Sequence, residues 1–196
     1  MTAVDRMRWN SRYAIAESSF KPQPPELFDK LGFLPTEGRA LDIACGRGAC
    51  SVWLAQRGLQ VDAVDISDIA LQSAARLASD HGVQQRLRLW PHDLDEGLPH
   101  GLGDGFAVII CQRFREPRLY PLLNRLLAPH GLLAITVLSS VGGRAGRFCA
   151  EPGELLSAFG SLQVLAHRET CGEAALLARA PLHPQVQATP QSASDS

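Results

Sequence analysis

Short apolar runs alternate along the chain with segments in which apolar residues recur at helical spacing. Apolar runs of this kind are typical of strands that are buried on both faces of a sheet. We predict five parallel strands, at residues 40–44, 60–64, 86–90, 106–111 and 132–138. Between them we predict helices at residues 49–57, 67–80 and 119–127, and Ser67 is the expected N-cap of the second. Because strands separated by helices form parallel units with right-handed crossovers, the pattern indicates an open, doubly wound α/β sheet.

The C-terminal part of the pattern differs, because residues 161–168 and 173–179 are two strands with only a short gap between them. A gap of this length cannot hold a crossover, so the two strands are expected to form an antiparallel hairpin. The sequence therefore predicts a mostly parallel seven-stranded sheet that closes with an antiparallel hairpin.

The chain divides into three predicted parts. Residues 1–39 mix helix-like pieces with a proline cluster and are predicted to be a helical N-terminal leader. Residues 40–182 hold the sheet in one domain. Residues 183–196 are rich in Ser, Gln, Pro and Ala and are predicted to be disordered.

Composition excludes several classes of protein. The five cysteines include no CxxC pair and the histidines do not cluster, so we expect neither a disulfide framework nor a metal site, and a cytoplasmic location. No apolar run has the ~18 residues that a membrane span needs. Basic charge comes from 17 arginines and two lysines, but the net charge is only −1. Arginine can indicate phosphate or nucleic-acid recognition. Codon usage is the simpler explanation here, and a nucleic-acid partner is not expected.

Ligands of an open α/β sheet bind beyond the carboxyl ends of its strands. The residues that follow the first four predicted strands are therefore the candidates: Cys45, Gly46, Arg47 and Gly48; Asp65; His92 and Asp93; Gln112 and Arg113.

Gly46, Gly48 and Asp65 together describe a site for an adenosine-type ligand. The glycines allow close approach of the backbone, and a carboxylate at the end of the second strand can accept both ribose hydroxyls. A tight turn and a helix N-terminal charge are the structural alternatives. A dinucleotide fingerprint needs a third glycine where this chain has Ser51, and the nearby Asp42 would repel a pyrophosphate. Asp42 suits a ligand with an ammonium and a sulfonium, which favours S-adenosylmethionine over NAD.

Several motifs resemble those of class I S-adenosylmethionine-dependent methyltransferases, which have a Rossmann-like fold. The first is LDIACGRG at 41–48, whose form is most similar to the small branch of tellurite-resistance and thiopurine-type enzymes. The others, in chain order, are WNSRY at 9–13, VDAVDIS at 61–67, Asp93-Leu94, APHGL at 128–132 and the closing hairpin. One departure is His130, which stands where the family usually has the first of two glycines.

The resemblance implies a role for each matching residue. Gly46 and Gly48 would line the methionine portion and the ribose, with Cys45 as a small filler in the same loop and Asp42 near the methionine amino group. Asp65 would bind the ribose hydroxyls. The remaining cofactor-binding candidates are Ile66 and Leu94 beside the adenine, Asp93 at its amino group, Gln112 after the fourth strand, and Trp9, Arg12 and Tyr13 over the methionine end. Packing of a leader helix on the sheet is the alternative for these last three.

A second set of candidate residues concerns the methyl acceptor. Arg113 and Arg115 could clamp an anionic acceptor, whereas a solvated loop that pairs with Glu116 is the alternative for Arg113, Arg115 and Arg118. Arg144 and Arg147 lie in a glycine-rich loop that is either a substrate lid or a connector. His92, as a general base, and Arg113 are the catalytic candidates, and a turn residue is the alternative for His92.

The predicted function is methyl transfer to a small-molecule acceptor by a monomer or homodimer, and the arginines leave an anionic acceptor open. The alternatives are an RNA or protein methyltransferase and a non-catalytic S-adenosylmethionine-binding sensor or partner protein, with a NAD oxidoreductase as a distant fourth.

Overall fold

The computed structural model describes residues 3–15, 20–142, 146 and 148–182, and its centre is one twisted sheet. The strands are β1 (Arg39–Ile43), β2 (Gln60–Asp65), β3 (Leu87–Pro91), β4 (Phe106–Gln112), β5 (Leu127–Ser139), β6 (Cys149–Ala150), β7 (Gln163–Thr170) and β8 (Glu173–Arg179). Their order is β3-β2-β1-β4-β5-β8-β7, and β6 pairs with β5. β8 is antiparallel to β5 and β7, and the other pairings are parallel.

In the part of the chain that the structure describes, five α-helices accompany the sheet: α1 (Ala3–Ala14), α2 (Ala49–Gln56), α3 (Asp68–Asp80), α4 (Tyr120–Leu126) and α5 (Glu154–Ala158). Single 3-10 turns lie at Phe28–Lys30, Gln84–Arg86, Leu94–Glu96 and Pro117–Leu119. Among the described residues, no helix is long and apolar enough to cross a bilayer.

The central strands are buried on both faces, as their unbroken apolar runs predict. Because side chains alternate along a strand, Ile109 faces one apolar cluster, whereas its neighbours Val108 and Ile110 face another. The first cluster is closed by α4 and α5, through residues such as Leu123 and Leu155. The second is closed by α2 and by residues 27–34 of the leader. The predicted doubly wound architecture is therefore confirmed, and the leader supplies part of one layer.

The predicted elements and the observed ones differ mainly around β5. The predicted helix 119–127 is a 3-10 turn followed by the shorter α4. β5 begins at Leu127 rather than at residue 132, because Leu127 pairs with Phe106 before an irregularity shifts the register. The two-residue β6 adds an eighth strand to the predicted seven. A strand this short has no hydrophobic period to detect.

The turn at His130 and Gly131 explains the departure from the usual two glycines. His130 has φ +61°, so this position does require the left-handed region, and histidine tolerates it at a modest cost. A Cβ at Gly131 would lie 2.6 Å from the carbonyl oxygen of Phe106. The close approach of two strands therefore depends on Gly131, whereas His130 bears only conformational strain.

Two predicted features lie outside the described residues. They are the tail at 183–196 and the arginines Arg144 and Arg147 of the glycine-rich loop.

Candidate functional site

In the glycine turn after β1, residues 44–48, every second residue has a left-handed backbone conformation. Ala44, Gly46 and Gly48 have φ values of +54°, +55° and +76°. A Cβ at Gly48 would lie only 2.6 Å from the Cβ of Ala74 on α3. Gly48 therefore lets α2 begin in close contact with α3, a packing role that the sequence left as an alternative.

The Asp65 carboxylate holds this turn from the end of β2. Its Oδ2 accepts the backbone N–H of Gly46 at 2.8 Å, and its Oδ1 accepts that of Ser67 at 2.8 Å. Asp65 is buried, and burial raises its pKa even though these backbone hydrogen bonds lower it. Because each carboxylate oxygen has two lone pairs, both oxygens can still accept a ligand hydroxyl. This geometry fits the diol of a ribose.

Asp42, near the end of β1, is buried and faces α2. It accepts a hydrogen bond from the Ser51 hydroxyl, which gives a reason for serine at the third position of the glycine pattern. Burial raises the pKa of Asp42 to about 7, although the Ser51 hydrogen bond lowers it. The carboxyl group is therefore ionised only in part at neutral pH.

Helix α1 covers the glycine turn. Tyr13 stacks on Trp9 with ring centroids 5.9 Å apart, and its hydroxyl lies 2.9 Å from the position of a Cβ on Gly46. Burial raises the pKa of Tyr13 to about 12, with further contributions from the charges of Asp65 and Cys45. The structure thus places this part of the leader against the site rather than on the sheet.

The ends of β2 and β3 carry the predicted adenine-side residues. Ile66 and Leu94 are both buried, at 4% and 1% exposure. Asp93 is half-buried and caps a 3-10 turn, since its Oδ1 accepts the N–H of Asp95 at 3.0 Å. The backbone N–H of His92 donates to the carbonyl oxygen of Asp65 at 3.0 Å, which joins the two strand ends.

Two further predicted residues have different surroundings from those expected. The His92 Nε2 atom is buried and makes no hydrogen bond with the described part of the chain. The Gln112 amide serves the leader and the sheet: Oε1 accepts the N–H of Glu26 at 3.1 Å, and Nε2 donates to the Ala134 carbonyl at 3.3 Å.

Arg113 follows β4 in a strained backbone conformation. Its φ is +58°, and its N–H donates to both the carbonyl and the hydroxyl oxygen of Thr136, each at 2.9 Å. The side chain is 77% exposed, and its guanidinium lies 3.8 Å from Glu173. Backbone strain of this kind in non-glycine residues is concentrated at functional sites.

Arg115 is held in an ion pair. It donates to both oxygens of Glu154, at 2.8 and 2.6 Å, and the Tyr120 hydroxyl donates to the same carboxylate at 3.2 Å. The sequence suggested Glu116 as an alternative partner for Arg115, but Glu116 pairs with Arg118, at 2.8 Å. Arg115 is therefore less accessible to an acceptor than Arg113.

Charges around Arg113 form an alternating chain that sequence reasoning missed. Arg168 lies 3.2 Å from Glu26 and 2.8 Å from Glu173, which in turn faces Arg113. The four residues come from the leader, the loop after β4, and strands β7 and β8, so no local sequence signal connects them. In the described residues, no group of three or more His, Cys, Asp or Glu side chains is placed to hold a metal ion.

Comparison with known proteins gives several methyltransferases among the matches. Residues 40–131 match the family model of a methyltransferase domain. A ribosomal protein uL3 glutamine methyltransferase from Bordetella pertussis is 44% identical over 110 residues, which cover 55% of this chain and 35% of that protein. A ubiquinone biosynthesis O-methyltransferase from Caulobacter sp. K31 is 34% identical over 117 residues, or 57% of this chain and 45% of that protein.

A solved structure shows the same fold. Geranyl diphosphate C-methyltransferase from Streptomyces coelicolor, in complex with S-adenosyl-L-homocysteine, superposes with a TM-score of 0.63 at 15% identity. The match covers 80% of this chain and 78% of that one. The predicted Rossmann-like fold is therefore confirmed. The chain spans less than half the length of the two curated relatives.

Proposed function

We propose, on the premise that residues 40–131 form an S-adenosylmethionine-dependent methyltransferase domain, that this chain methylates a small-molecule acceptor. The observation that carries the proposal is the Asp65 carboxylate, which is buried beside the glycine turn and held by two backbone N–H groups. It is preorganised as an acceptor for a diol, which is what the ribose of this cofactor requires.

The proposed cofactor site runs along the ends of β1, β2 and β3. Asp65 would hold the ribose, and Gly46 would lie against the methionine portion. The other proposed contacts are Asp42, Cys45, Gly48, Ile66, Asp93, Leu94 and Gln112. The bound cofactor supplies an electrophilic methyl group on a sulfonium.

The chain contributes chiefly alignment to the reaction. In an in-line displacement, a nucleophile held behind the methyl carbon gains up to ~7–11 kcal/mol from positioning. Arg113 is the proposed acceptor-binding residue, because its guanidinium is exposed and its backbone is fixed by Thr136. The Nε2 atom of His92 is buried and makes no hydrogen bond with the described residues, and we assign no general base.

Charge favours a small acceptor over RNA. The ion pairs among Glu26, Arg168, Glu173 and Arg113 alternate in sign, whereas a phosphate backbone is bound by an excess of Lys and Arg. The exposed guanidinium of Arg113, which shares Glu173 with Arg168, suits a single carboxylate or phosphate group. The form of the motif at 41–48 supports a place in the small tellurite-resistance and thiopurine-type branch.

Calorimetry with S-adenosylhomocysteine tests the site. Asp65→Ala should weaken binding at least tenfold, whereas Asp80→Ala, on the exposed end of α3, should not change it. Equal affinity in the two variants would overturn the assignment of Asp65.

An acceptor panel tests the activity by release of S-adenosylhomocysteine. Turnover with small anionic molecules supports the proposal. Turnover with RNA or protein alone would favour a macromolecular acceptor, and cofactor binding without any turnover would favour a sensor or partner protein.

A further inference from the structure

Arg47, the central residue of the Gly-x-Gly turn, reaches away from the sheet to the end of helix α1. Its Nη2 atom donates to the carbonyl oxygens of Tyr13, at 3.0 Å, and Ile15, at 2.8 Å. The last carbonyls of a helix have no partner within the helix, and a cation at that end interacts favourably with the helix dipole. The guanidinium also lies 5.6 Å from the centre of the Tyr13 ring. Arg47 thus caps α1 from another element.

A second tether joins α1 to the end of β2. The Ser67 hydroxyl donates to Oδ1 of Asn10 at 2.6 Å. The backbone N–H of Ser67 donates to Asp65, and Gly46, beside Arg47, donates to the other oxygen of Asp65. The second tether therefore starts from Ser67, which donates to the Asp65 carboxylate, and the first starts from Arg47, the sequence neighbour of Gly46, which donates to the same carboxylate.

Apolar packing holds α1 only weakly. None of the described side chains of this helix is fully buried, and Val4 and Met7 are 66% and 62% exposed. Isolated helices of this length are marginal in water. The position of α1 over the glycine turn consequently depends on a few polar contacts.

We infer that Arg47 is a positioning residue that holds α1 closed over the glycine turn and thereby retains the cofactor. The inference rests on the proposed site at Gly46 and Asp65. Tyr13 is the part of α1 that covers Gly46, and Arg47 fixes it through its own carbonyl oxygen. Release of Arg47 frees the end of α1, so that a bound ligand leaves faster without any loss of its own contacts.

The test is stopped-flow measurement of S-adenosylhomocysteine binding to the full chain. Arg47→Ala should speed dissociation about tenfold, the size expected for lost hydrogen bonds to a charged group, and leave association nearly unchanged. Arg47→Lys should restore part of the effect, because an ammonium group can donate to one of the two carbonyls. Arg57→Ala is the matched control, since Arg57 stacks on Trp53 and lies outside these tethers.

Asn10→Ala removes the second tether of α1 without altering the glycine turn. It should also speed dissociation, and in both variants the amides of α1 should exchange hydrogen faster while the ligand is bound. Unchanged dissociation, or tighter binding in Arg47→Ala, would overturn the inference that Arg47 holds α1 over the glycine turn. No binding by the unaltered chain would instead overturn the proposed site, so the two failures are distinguishable.

Discussion

Asp65 and Gly46 join two strand ends, because the carboxylate at the end of β2 accepts the backbone N–H of the turn after β1 at 2.8 Å. The same carboxylate binds the N–H of Ser67, the N-cap of α3. One side chain thus fixes the glycine turn and the start of a helix before any ligand arrives. A site organised in this way avoids much of the ordering cost of binding.

The first prediction concerns this structural role of Asp65. Asp65→Asn keeps one acceptor oxygen but loses the second, so one of the buried N–H groups of Gly46 and Ser67 is left without a partner. We expect the free energy of unfolding to fall by roughly 1–3 kcal/mol at pH 7. Urea denaturation measures the change, and an equal loss in Asp80→Asn would contradict it.

The second prediction is a pH dependence that arises from Asp42. Burial raises its pKa from 3.8 to about 7, so the folded chain binds a proton that the unfolded chain releases between these values. The stabilising contribution is complete below about pH 4 and is lost as the pH rises through 7. In Asp42→Asn, the free energy of unfolding should therefore decline less than in the unaltered chain over this range.

The difference between the two pH profiles reports the titration of Asp42 together with its coupling to the charge of Asp65. Asp65 also has a raised pKa, but it is present in both proteins. Parallel profiles across pH 4 to 8 would show that Asp42 does not titrate in this range.

The third prediction separates crowding from backbone strain at glycine. Gly48 and Gly82 both have positive φ, at +76° and +68°, but only Gly48 lacks space for a Cβ. Gly82→Ala should cost about 1–2 kcal/mol for the left-handed backbone alone. Gly48→Ala should cost about 1–3 kcal/mol more, because its Cβ would clash with Ala74.

Thermal denaturation of both variants gives the comparison. Ala74→Gly should recover part of the loss when combined with Gly48→Ala, since it removes the opposing Cβ. If the two single variants lose the same stability, close packing of α2 on α3 is not the reason for Gly48.

The fourth prediction distinguishes Arg113 from Arg115. Arg115→Met and Glu154→Gln break the same ion pair, so each should lower stability, and their double mutant should lose less than the sum of the two. Arg113→Ala should leave stability nearly unchanged and raise the KM for an anionic acceptor about tenfold, with kcat less affected.

Steady-state kinetics with an anionic acceptor and its neutral analogue checks this assignment. The effect of Arg113→Ala should be absent with the neutral analogue, and Arg118→Ala should serve as an exposed control. A larger KM effect from Arg115→Met than from Arg113→Ala would assign the acceptor site to Arg115 instead.

Local sequence signals predicted much of the fold and of the candidate site. Ser67 does cap α3, where its hydroxyl accepts the N–H of Ala70 at 3.2 Å. The polar residues at strand ends were predictable because all parallel strands of one sheet end at the same edge. The resemblance places His130 where the family usually has glycine, and the positive φ of His130 agrees with that usual choice.

Contacts between distant segments were not predictable. Arg47 occupies the x position of the Gly-x-Gly motif, which the motif does not specify. Its acceptors are backbone carbonyl oxygens, which every residue has, so the side chains of Tyr13 and Ile15 do not indicate the contact. Glu154 lies far from Arg115 in the sequence, whereas Glu116 is the neighbour of Arg115. The sequence therefore favours Glu116 as the partner, although the structure pairs Arg115 with Glu154. The sequence shows which side chains are charged, but the packing of the fold determines which of them form ion pairs.

The second apolar cluster, which α2 and residues 27–34 close, has a consequence for the order of folding. It joins Leu27 and Phe28 to Ala175 and Leu177, although most of the chain separates these residues. During synthesis, β5 leaves the ribosome with an unpaired apolar edge that only β8, which is made much later, can cover. Loop closure of this length slows folding. We therefore expect the nascent chain to be most prone to aggregation before β8 is complete.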